Sequence, residues 1–421
     1  MPSPDTGAMP TTHTVRAATA DDNYLYRGSR AYWHAALALL AAGYATFSLL
    51  YCVQPLLPAF SAAFGVSASQ SSLTVSLSTG ALAVAILIAG FVSDACSRRT
   101  LMTVSLLASA VLMIIATVVP GWHALLVLRA LEGFTLGGVP AVAMAYLAEE
   151  VHPDGLGLAM GLYVGGTAIG GLLGRVISGV VWEFVSWRAA LGVIGALGLV
   201  ATAIFWKLLP PSRRFVPRVG AGLAAHGASL LAQWRVAGLP ALFSMAFVLM
   251  GSFVTLYNYL GYRLIAPPYS LSQSAIGAVF VVYLAGSVAS PLSGRMADGF
   301  GRGPVLVTMV LLMLAGVGLT TLTPVVSIVA GIVLVTFGFF AAHSVASSWV
   351  GRLAKRSKGQ AAALYLLSYY LGSSVVGSYG GHFWAHDGWP GVAGLVAALL
   401  AAGLFVSLWL ASRERALGPA P

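Results

Sequence analysis

Apolar and polar residues alternate along this chain in long blocks. From His34 onward, runs of roughly 20 apolar residues are separated by short polar breaks, and a helix of that length crosses the hydrocarbon core of a bilayer. The pattern predicts twelve membrane-spanning helices in two sets of six, at approximately 34–60, 73–93, 101–119, 122–147, 158–182 and 188–209, then 239–265, 275–296, 304–323, 325–350, 359–385 and 388–411. The expected fold class is therefore an all-α membrane protein built from two six-helix bundles.

Polar segments flank the two predicted bundles, 34–209 and 239–411, and separate them. Residues 1–33 form a polar tail without the apolar core of a signal peptide, and we expect this tail to be disordered through Arg30. Residues 210–238 are too polar to cross a membrane and are rich in Pro and Gly, which predicts a linker between the bundles. Residues 412–421 are predicted to form a second tail.

The two halves also repeat one another in sequence. At a constant offset of 202 positions, predicted helix five aligns with predicted helix eleven: Gly157 with Gly359, Tyr163 with Tyr365, Gly170 with Gly372, Gly179 with Gly381, Trp182 with Trp384 and Trp187 with Trp389. Ser69-Gln70-Ser71 falls on Ser272-Gln273-Ser274 at an offset of 203. Parallel repeats joined by a basic linker are typical of transporters whose substrate lies between two pseudo-symmetric halves.

Composition and charge place the chain in the membrane and orient it. The chain is 58% hydrophobic and 8% charged, with a mean hydropathy of +0.88, whereas a soluble domain is about 25% charged. Most of its 22 basic residues fall in the tails, the linker and the loops on one side of the predicted helices, so both termini are expected in the cytoplasm. This placement accounts for the net charge of +10. It predicts a multi-pass membrane protein whose partner is the lipid bilayer, with no nucleic acid and no obligate protein partner.

One charged loop occurs twice. In the first copy Gly90, Asp94 and Arg98 are spaced by four residues, with Arg99 adjacent, and in the second Gly294, Asp298 and Arg302 keep that spacing. An aspartate at the C-terminal end of a helix opposes the helix dipole and needs a positive partner. Candidates are the neighbouring arginines or the free N–H groups at the start of a helix in the other half, near Gln360 for the first copy and Gly157 for the second. We expect a conformational latch on the cytoplasmic side, the alternative being an aspartate that merely caps a loop in solvent.

Two buried charges lie three residues apart in predicted helix four, Arg129 and Glu132. Ionisable groups inside a membrane usually mark an ion or proton path, so Glu132 is predicted to carry protons, with Arg129 as its modulator. The alternative is a static salt bridge that fixes helix packing. Arg175 in helix five is also predicted to be buried. It could pair with Glu132, bind an anionic substrate group, or extend towards Glu183 at the outer surface.

A small-molecule substrate is expected to contact polar and aromatic residues in the middle and outer parts of the helices. These candidates are Tyr44, Tyr51, Gln54, Arg175, Thr255, Tyr257, Asn258 and His343. An aromatic, weakly polar lining suits amphipathic organic compounds better than phosphorylated metabolites, which need several basic groups. Packing is the alternative role for each tyrosine and for His343, which could also be a second proton site.

These motifs together resemble the major facilitator superfamily. The duplicated loop is similar to that family's loop between helices two and three, although Ala95 and Ser97 depart from the pattern. Arg129, Gly133 and Gly137 resemble its helix-four motif, with Glu132 where a glutamine is common. The run 165–171 resembles the glycine-rich motif of antiporters, with Thr167 in place of proline, and the stretches 146–151 and 159–163 are similar to arabinose-efflux and drug-efflux permeases. The resemblance implies a twelve-helix secondary transporter of the bacterial inner membrane type that works by alternating access.

The expected function is secondary active transport, by proton-coupled efflux of a small organic or amphipathic compound. The chain lacks a Walker A lysine, a nucleophile motif and a metal-ligand spacing, so no enzyme, metal or cofactor is expected and the proton gradient is the energy source. Cys52 and Cys96 lie at opposite predicted depths, which disfavours a disulfide. The alternatives are a proton-coupled or facilitated importer of a sugar-like or organic-acid solute, and a non-transporting membrane receptor or scaffold.

Overall fold

The computed structural model describes residues 24–214, 223–354 and 357–417. Within these ranges the chain is helical, and its β-structure is a single bridge between Leu25 and Val151. The helices are α1 Arg30–Tyr51, α2 Leu57–Phe64, α3 Ala68–Ala95, α4 Arg98–Ile115, α5 Trp122–Leu136, α6 Pro140–Glu150, α7 Pro153–Phe184, α8 Trp187–Leu208, α9 Leu223–Gln233, α10 Leu239–Ile265, α11 Gln273–Val279, α12 Leu284–Phe300, α13 Arg302–Thr320, α14 Val325–Leu353 and α15 Lys358–Leu417.

These helices supply the predicted membrane crossings. Eleven helical stretches in the described ranges are long and apolar enough to span a bilayer, and the last of them, Lys358–Glu414, is long enough to cross twice. It is interrupted at Gly388, whose φ of 61° and ψ of −140° are non-helical, and Pro390 follows. A turn at Gly388 therefore makes a twelfth crossing segment, at the position where the sequence predicts a break between helices eleven and twelve.

Several crossings are broken in the middle rather than continuous. The first consists of α1, a 3₁₀ turn at Gln54–Leu56 and α2, with Pro55 preventing a regular helix through the turn. The fourth is divided between α5 and α6, with Pro140 beginning the second piece, and the eighth passes through a 3₁₀ turn at Phe280–Tyr283. Such breaks leave backbone carbonyl groups without helical partners, and inside a membrane these must be satisfied by other protein groups.

The crossings pack into two sets that contact each other along two seams. Within the sets, α1 packs on α7, α3 on α5, α10 on α15 and α13 on α14. Between them, α3 lies against α15 and α7 against α11. The second seam is tight because two glycines meet, and a Cβ atom added at Gly179 would lie 3.2 Å from the Cα of Gly277. Small residues of this kind allow close backbone approach between membrane helices.

We call the end of the bundle that carries Arg98, Arg302 and Arg352 the basic end, and the other the opposite end. At the basic end, residues 24–29 before α1 are ordered, contrary to the expectation that the tail is disordered through Arg30. Leu25 is buried, its N–H donates to the Glu150 carbonyl at 2.7 Å, and the Tyr24 hydroxyl accepts from Arg214 at 2.9 Å. Residues 1–23 lie outside the described ranges.

The predicted linker and second tail also contain helix. Within 210–238 the structure has α9, and Ser229 of this helix contacts the Ser357 hydroxyl at 3.2 Å. At the other predicted boundary, α15 continues past residue 412 to Leu417 because Glu414 is held by the backbone N–H groups of Arg302 and Gly303, at 2.6 and 2.9 Å. A carboxylate at the start of α13 is stabilised by the helix dipole, which explains why the last helix is longer than its apolar run.

Candidate functional site

A cavity lies where the two sets of helices face each other. The space inside it that a water-sized molecule can occupy is about 80 Å³, and its wall comes from both sets. The first set contributes residues of α1 and α7, and the second contributes residues of α10, α14, α15 and the 3₁₀ turn at 280–283. The wall consists of Phe47, Tyr51, Val164, Thr167, Ala168, Gly171, Arg175, Met250, Phe253, Val254, Tyr283, Phe339, Phe340 and Tyr369. Aromatic rings therefore dominate a site shared by the two halves.

Arg175 is the charged residue of this wall. It is 2% exposed, its Nε donates to the Gln54 side-chain oxygen at 2.6 Å, and its Nη1 donates to the Gly171 carbonyl. The guanidinium also lies over three aromatic rings, at 4.6 Å from the centroid of Tyr51, 4.7 Å from Tyr283 and 5.1 Å from Phe280. The sequence left three roles open for Arg175, and two of them name Glu132 or Glu183 as its partner. In this structure neither carboxylate is a partner of Arg175.

Gln54 connects Arg175 to the other half. Its side-chain nitrogen donates to the Oδ1 of Asn258 at 2.8 Å, and both amide side chains are at most 2% exposed. The bond can form because the break after Tyr51 turns Gln54 away from the line of α1 and towards α10. The side-chain nitrogen of Asn258, Nδ2, has no hydrogen-bond partner among the described residues.

Arg129 and Glu132 form a separate buried pair inside the first half. Arg129 is fully buried, its Nη1 donates to Glu132 and also to the Leu49 carbonyl, and its Nη2 donates to the Leu50 carbonyl at 2.7 Å. Its Nε donates to the Thr74 carbonyl at 3.0 Å. Arg129 thus satisfies carbonyl groups at the C-terminal end of α1, where a positive charge also complements the helix dipole.

The two carboxylate oxygens of Glu132 differ in their hydrogen bonding. Its Oε2 accepts from Arg129, whereas Oε1 is buried and has no partner among the described residues. The pair sits where α3 and α5 nearly touch, since a Cβ at Gly133 would lie 2.0 Å from the Ser78 carbonyl oxygen. Any change in the charge of Glu132 therefore acts on a contact that joins α1, α3 and α5.

The cavity includes two of the eight predicted substrate residues in its wall, Tyr51 and Arg175. Gln54 and Asn258 lie beside it, on the bridge between the halves. Thr255 packs under α15, and the Tyr257 hydroxyl bonds to that of Thr336 at 2.7 Å. The last two lie on α1 and α14, outside the wall: the backbone of Tyr44 approaches Gly170 of α7, and His343 meets the Tyr365 hydroxyl at 3.0 Å within an aromatic cluster of the second half.

Hydrogen bonds between the halves are concentrated towards the opposite end. Ser61 and Tyr262 bond through their hydroxyl groups at 2.7 Å, and the Tyr259 hydroxyl bonds to Ser72 at 3.2 Å. Ser374 donates to the Ser76 carbonyl at 2.7 Å. At the same end, the Glu183 carboxylate accepts from the N–H of Ser274 at 2.6 Å, at the start of α11. The opposite end is therefore closed over the cavity.

The duplicated loop lies at the basic end, and Arg98, Arg99, Asp298 and Arg302 each have a partner within their own half. Asp298 is 3.8 Å from Arg302, and its side chain is 79% exposed, so it does not meet the start of α7 in this conformation. Arg98 donates to both oxygens of Glu149, at 2.8 and 2.6 Å, and Arg99 donates to the Trp206 carbonyl at 2.5 Å. Gly294 lies on α12 with open space around it. Gly90 and Asp94 lie on α3, and their side-chain surroundings are outside what the structure describes.

The sequence did not single out most of the aromatic wall. Phe253, Tyr283, Phe339, Phe340 and Tyr369 are ordinary apolar positions in their runs, and only the packing of α10, α14 and α15 turns them towards Arg175. The available signal was the density of aromatic residues in the second half, as in Phe339-Phe340 and Tyr369-Tyr370. Glu149, assigned no partner from the sequence, is the carboxylate that holds Arg98.

Known proteins resemble this chain along almost its whole length. The family model of the Major Facilitator Superfamily matches residues 35–267 and 242–421. The inner membrane transport protein YnfM of Escherichia coli K12 is 45% identical over 97% of this chain and 100% of that protein. YybF of Bacillus subtilis 168, named as an MFS-type transporter, is 44% identical over 92% of this chain and 96% of that protein.

Solved structures show the same fold. A bacterial homologue of the human lysosomal transporter Spinster, inward-facing and occupied, has a TM-score of 0.70 at 14% identity, covering 92% of this chain and 98% of that one. The nucleoside transporter NupG, solved as a point mutant, has a TM-score of 0.70 at 15% identity, covering 89% of this chain and 99% of that one. The predicted all-α membrane fold is thereby confirmed. With relatives that are multi-pass transporters and not enzymes, this chain belongs to the major facilitator superfamily and is a membrane transporter.

Proposed function

We propose that this transporter exports a small amphipathic organic compound from a bacterial cell in exchange for protons, by alternating access to one cavity. The observation that carries the proposal is the cavity itself, which has walls from both halves, a buried arginine and an aromatic lining. A site shared by two halves changes its access when the halves move relative to each other. The name of the relative YnfM, an inner membrane transport protein, supports the same membrane for this chain.

The contacts between the halves support an inward-facing conformation. The Ser61–Tyr262, Tyr259–Ser72 and Gln54–Asn258 bonds close the opposite end, whereas Arg98, Arg302 and Tyr365 at or towards the basic end bond within their own halves. Basic residues concentrate on the cytoplasmic side of membrane proteins, so we assign the basic end to the cytoplasm, with both termini there. A substrate would therefore enter the cavity from the cytoplasm in this conformation.

We assign the proton to Glu132. The carboxylate is buried, one of its oxygens is unpartnered, and the other accepts from Arg129. Protonation would weaken the attraction for Arg129, which also holds the end of α1 and the Thr74 carbonyl of α3. The proton would thus alter the packing of α1, which lines one side of the cavity, against α3 and α5. A static salt bridge remains the competing interpretation, because the carbonyl bonds of Arg129 serve structure whether or not Glu132 titrates.

The duplicated loop is proposed to act in the other conformation. Asp298 is exposed beside Arg302, and an added Cβ at Gly157, in the second turn of α7, would meet nothing within 4 Å, so there is room for Asp298 to approach this helix when the basic end closes. An aspartate that reaches the N-terminus of a helix in the other half would hold that end shut. Asp94 is assigned the equivalent role towards the start of α15.

Import is the second candidate function, and the observation that favours it is Arg175. Arg175 is a buried arginine that faces a transport cavity and has no ion-pair partner among the described residues, which suits an organic acid that a cell can take up together with protons. Direction of proton movement separates the two candidates. In antiport the proton and the compound move in opposite directions, and in symport they move together.

The test uses proteoliposomes with an acidic lumen, a pH dye inside, and a panel of amphipathic and polar organic compounds outside. Antiport predicts that a transported compound triggers proton exit, that Glu132→Gln abolishes this exit, and that Glu132→Asp retains part of it. Thr308→Val removes only a bond of an exposed hydroxyl to its own helix, at 2.9 Å, and serves as the matched control. Coupled proton exit that is unchanged in Glu132→Gln would refute the assignment of the proton, and compound entry without proton movement would refute coupling itself.

A further inference from the structure

We infer that the transported compound is an amphipathic organic monoanion, a carboxylate on an aromatic or similarly bulky apolar body, and that Arg175 binds its charge. The inference rests on the proposed function, since it names the substrate class of the same cavity. It excludes the amphipathic cations that a purely aromatic site would also accept.

The charge of the cavity wall comes from one residue. Among the described residues that form the wall, Arg175 is the single charged side chain, and no carboxylate is present. The buried acid of the same half, Glu132, is already engaged by Arg129 within its own helix. A cationic substrate would therefore meet a like charge and no counter-charge, whereas an anion would meet the opposite charge in surroundings of low polarity.

The positive charge of Arg175 has no counter-ion among its described hydrogen-bond partners. Its described hydrogen-bond partners are a side-chain amide, Gln54, and a backbone carbonyl, Gly171, both of which are neutral. The three aromatic rings stabilise the guanidinium only in part. A buried charge without a counter-ion is costly, so a ligand that supplies a negative charge gains more here than at a solvated arginine.

The geometry also leaves a place for a carboxylate. Nε and Nη1 of Arg175 have partners, and Nη2 has none among the described residues, so its N–H groups are left for a ligand oxygen. Next to it, the Tyr51 hydroxyl is buried, belongs to the wall and has no hydrogen-bond partner in the described chain. Nη2 and this hydroxyl together can donate to the two oxygens of one carboxylate.

The rest of the wall matches an apolar body rather than a second charged group. Phe253 and Phe339 are stacked with ring centroids 3.9 Å apart, and Phe340 and Tyr283 pack against them at 6.0 and 5.5 Å from Phe253. A dicarboxylate or a phosphorylated sugar would place further charge against these rings, where no second basic residue of the wall receives it. One positive charge and an aromatic wall therefore specify a monoanion.

Three probes with one shape and different charges test this inference: 2-naphthoate, the neutral 2-naphthamide and the cation 2-naphthylmethylammonium. Binding to the purified full-length protein is measured by isothermal titration calorimetry. We expect naphthoate to bind at least about 10-fold more tightly than the amide, and the cation to bind most weakly. Arg175→Gln should remove the preference for naphthoate, and Arg175→Lys should keep part of it. The inference is overturned if the amide or the cation binds as tightly as naphthoate, or if the preference persists in Arg175→Gln.

Controls separate this result from misfolding and from the proposed function. Arg188→Gln changes an arginine at the opposite end, over the Trp187 ring at 4.1 Å, and should leave the preference intact. Size-exclusion chromatography checks that each variant is folded. The same probes are then tested for proton movement in proteoliposomes. Proton exchange driven by the cation or the amide, but not by naphthoate, would refute the anion while proton-coupled transport stands. Arg175-dependent binding of naphthoate without proton movement would support the anion and refute coupling.

Discussion

The bond between Gln54 and Asn258 is predicted to help hold the opposite end of the transporter closed. It joins the two halves directly beside the cavity, at 2.8 Å between two almost fully buried amides. Asn258→Leu keeps the size of the side chain and removes the acceptor. In the closed conformation the side-chain nitrogen of Gln54 would then be buried without this partner, whereas in an open conformation water would reach it.

The magnitude follows from two opposing effects. Leaving a buried donor unsatisfied costs about 1–3 kcal/mol. The leucine also removes Nδ2 of Asn258, which is buried and unpartnered in the native chain, so part of this cost is recovered. We therefore expect the closed conformation to lose about 1 kcal/mol relative to the open one, which corresponds to a shift of about fivefold in their ratio.

The assay measures the distance between spin labels at the opposite end, one in each half. Ala63 lies in the last turn of α2, at the end of the first crossing, and Leu322 lies just after α13; both are exposed. The labels are attached to introduced cysteines. The exposed Cys96 is replaced by serine so that it is not labelled, whereas Cys52 is buried and is kept. The variant should show more of the long-distance population than the native sequence, and Thr308→Val should match the native sequence. An unchanged distance distribution in Asn258→Leu would refute the idea that this bond stabilises closure.

Two further predictions concern the basic end and the buried pair. Asp298→Asn should lower the transport rate while expression and folding stay intact, because the exposed aspartate is proposed to act only when the basic end closes. A native transport rate, measured with reconstituted protein, would refute the proposed latch. Gly133→Val should prevent stable folding, since even the Cβ of the new side chain would lie 2.0 Å from the Ser78 carbonyl oxygen. Gly318→Ala is the control, because a Cβ there meets nothing within 4 Å, and it should fold normally. Both variants are compared by thermal stability in detergent. Equal melting temperatures for the two glycine variants would contradict the close contact of α3 and α5.

The crossings could be predicted from the sequence because bilayer thickness sets their length. Polar breaks such as the one near Gly388 are visible as interruptions of apolar runs. The position of Glu132 beside Arg129 also follows from helical spacing alone, since residues three apart share a face. The predicted domain boundaries at 34–209 and 239–411 remain predictions, although α9 and the extension of α15 add helix beyond the predicted runs.

The contacts between distant segments could not be predicted. Nothing local pairs Gln54 with Asn258 or Arg98 with Glu149, because these bonds depend on how whole helices pack. The order in residues 24–29 has the same origin, since a polar segment alone does not reveal that Leu25 will pair with Val151. The burial of Arg129, Glu132 and Arg175 was therefore predictable from the sequence, whereas the aromatic wall of the cavity was not.

The most direct test of alternating access asks from which side the shared cavity can be reached. Ala168, in the cavity wall, is replaced by cysteine in the Cys96→Ser background, and a membrane-impermeant maleimide is added to right-side-out or inside-out vesicles. Alternating access predicts labelling of the introduced cysteine from the cytoplasmic side in the native conformation, and increased labelling from the outside when Asn258→Leu is added. Labelling of that cysteine from the outside alone, or from neither side in both forms, would contradict alternating access to this cavity.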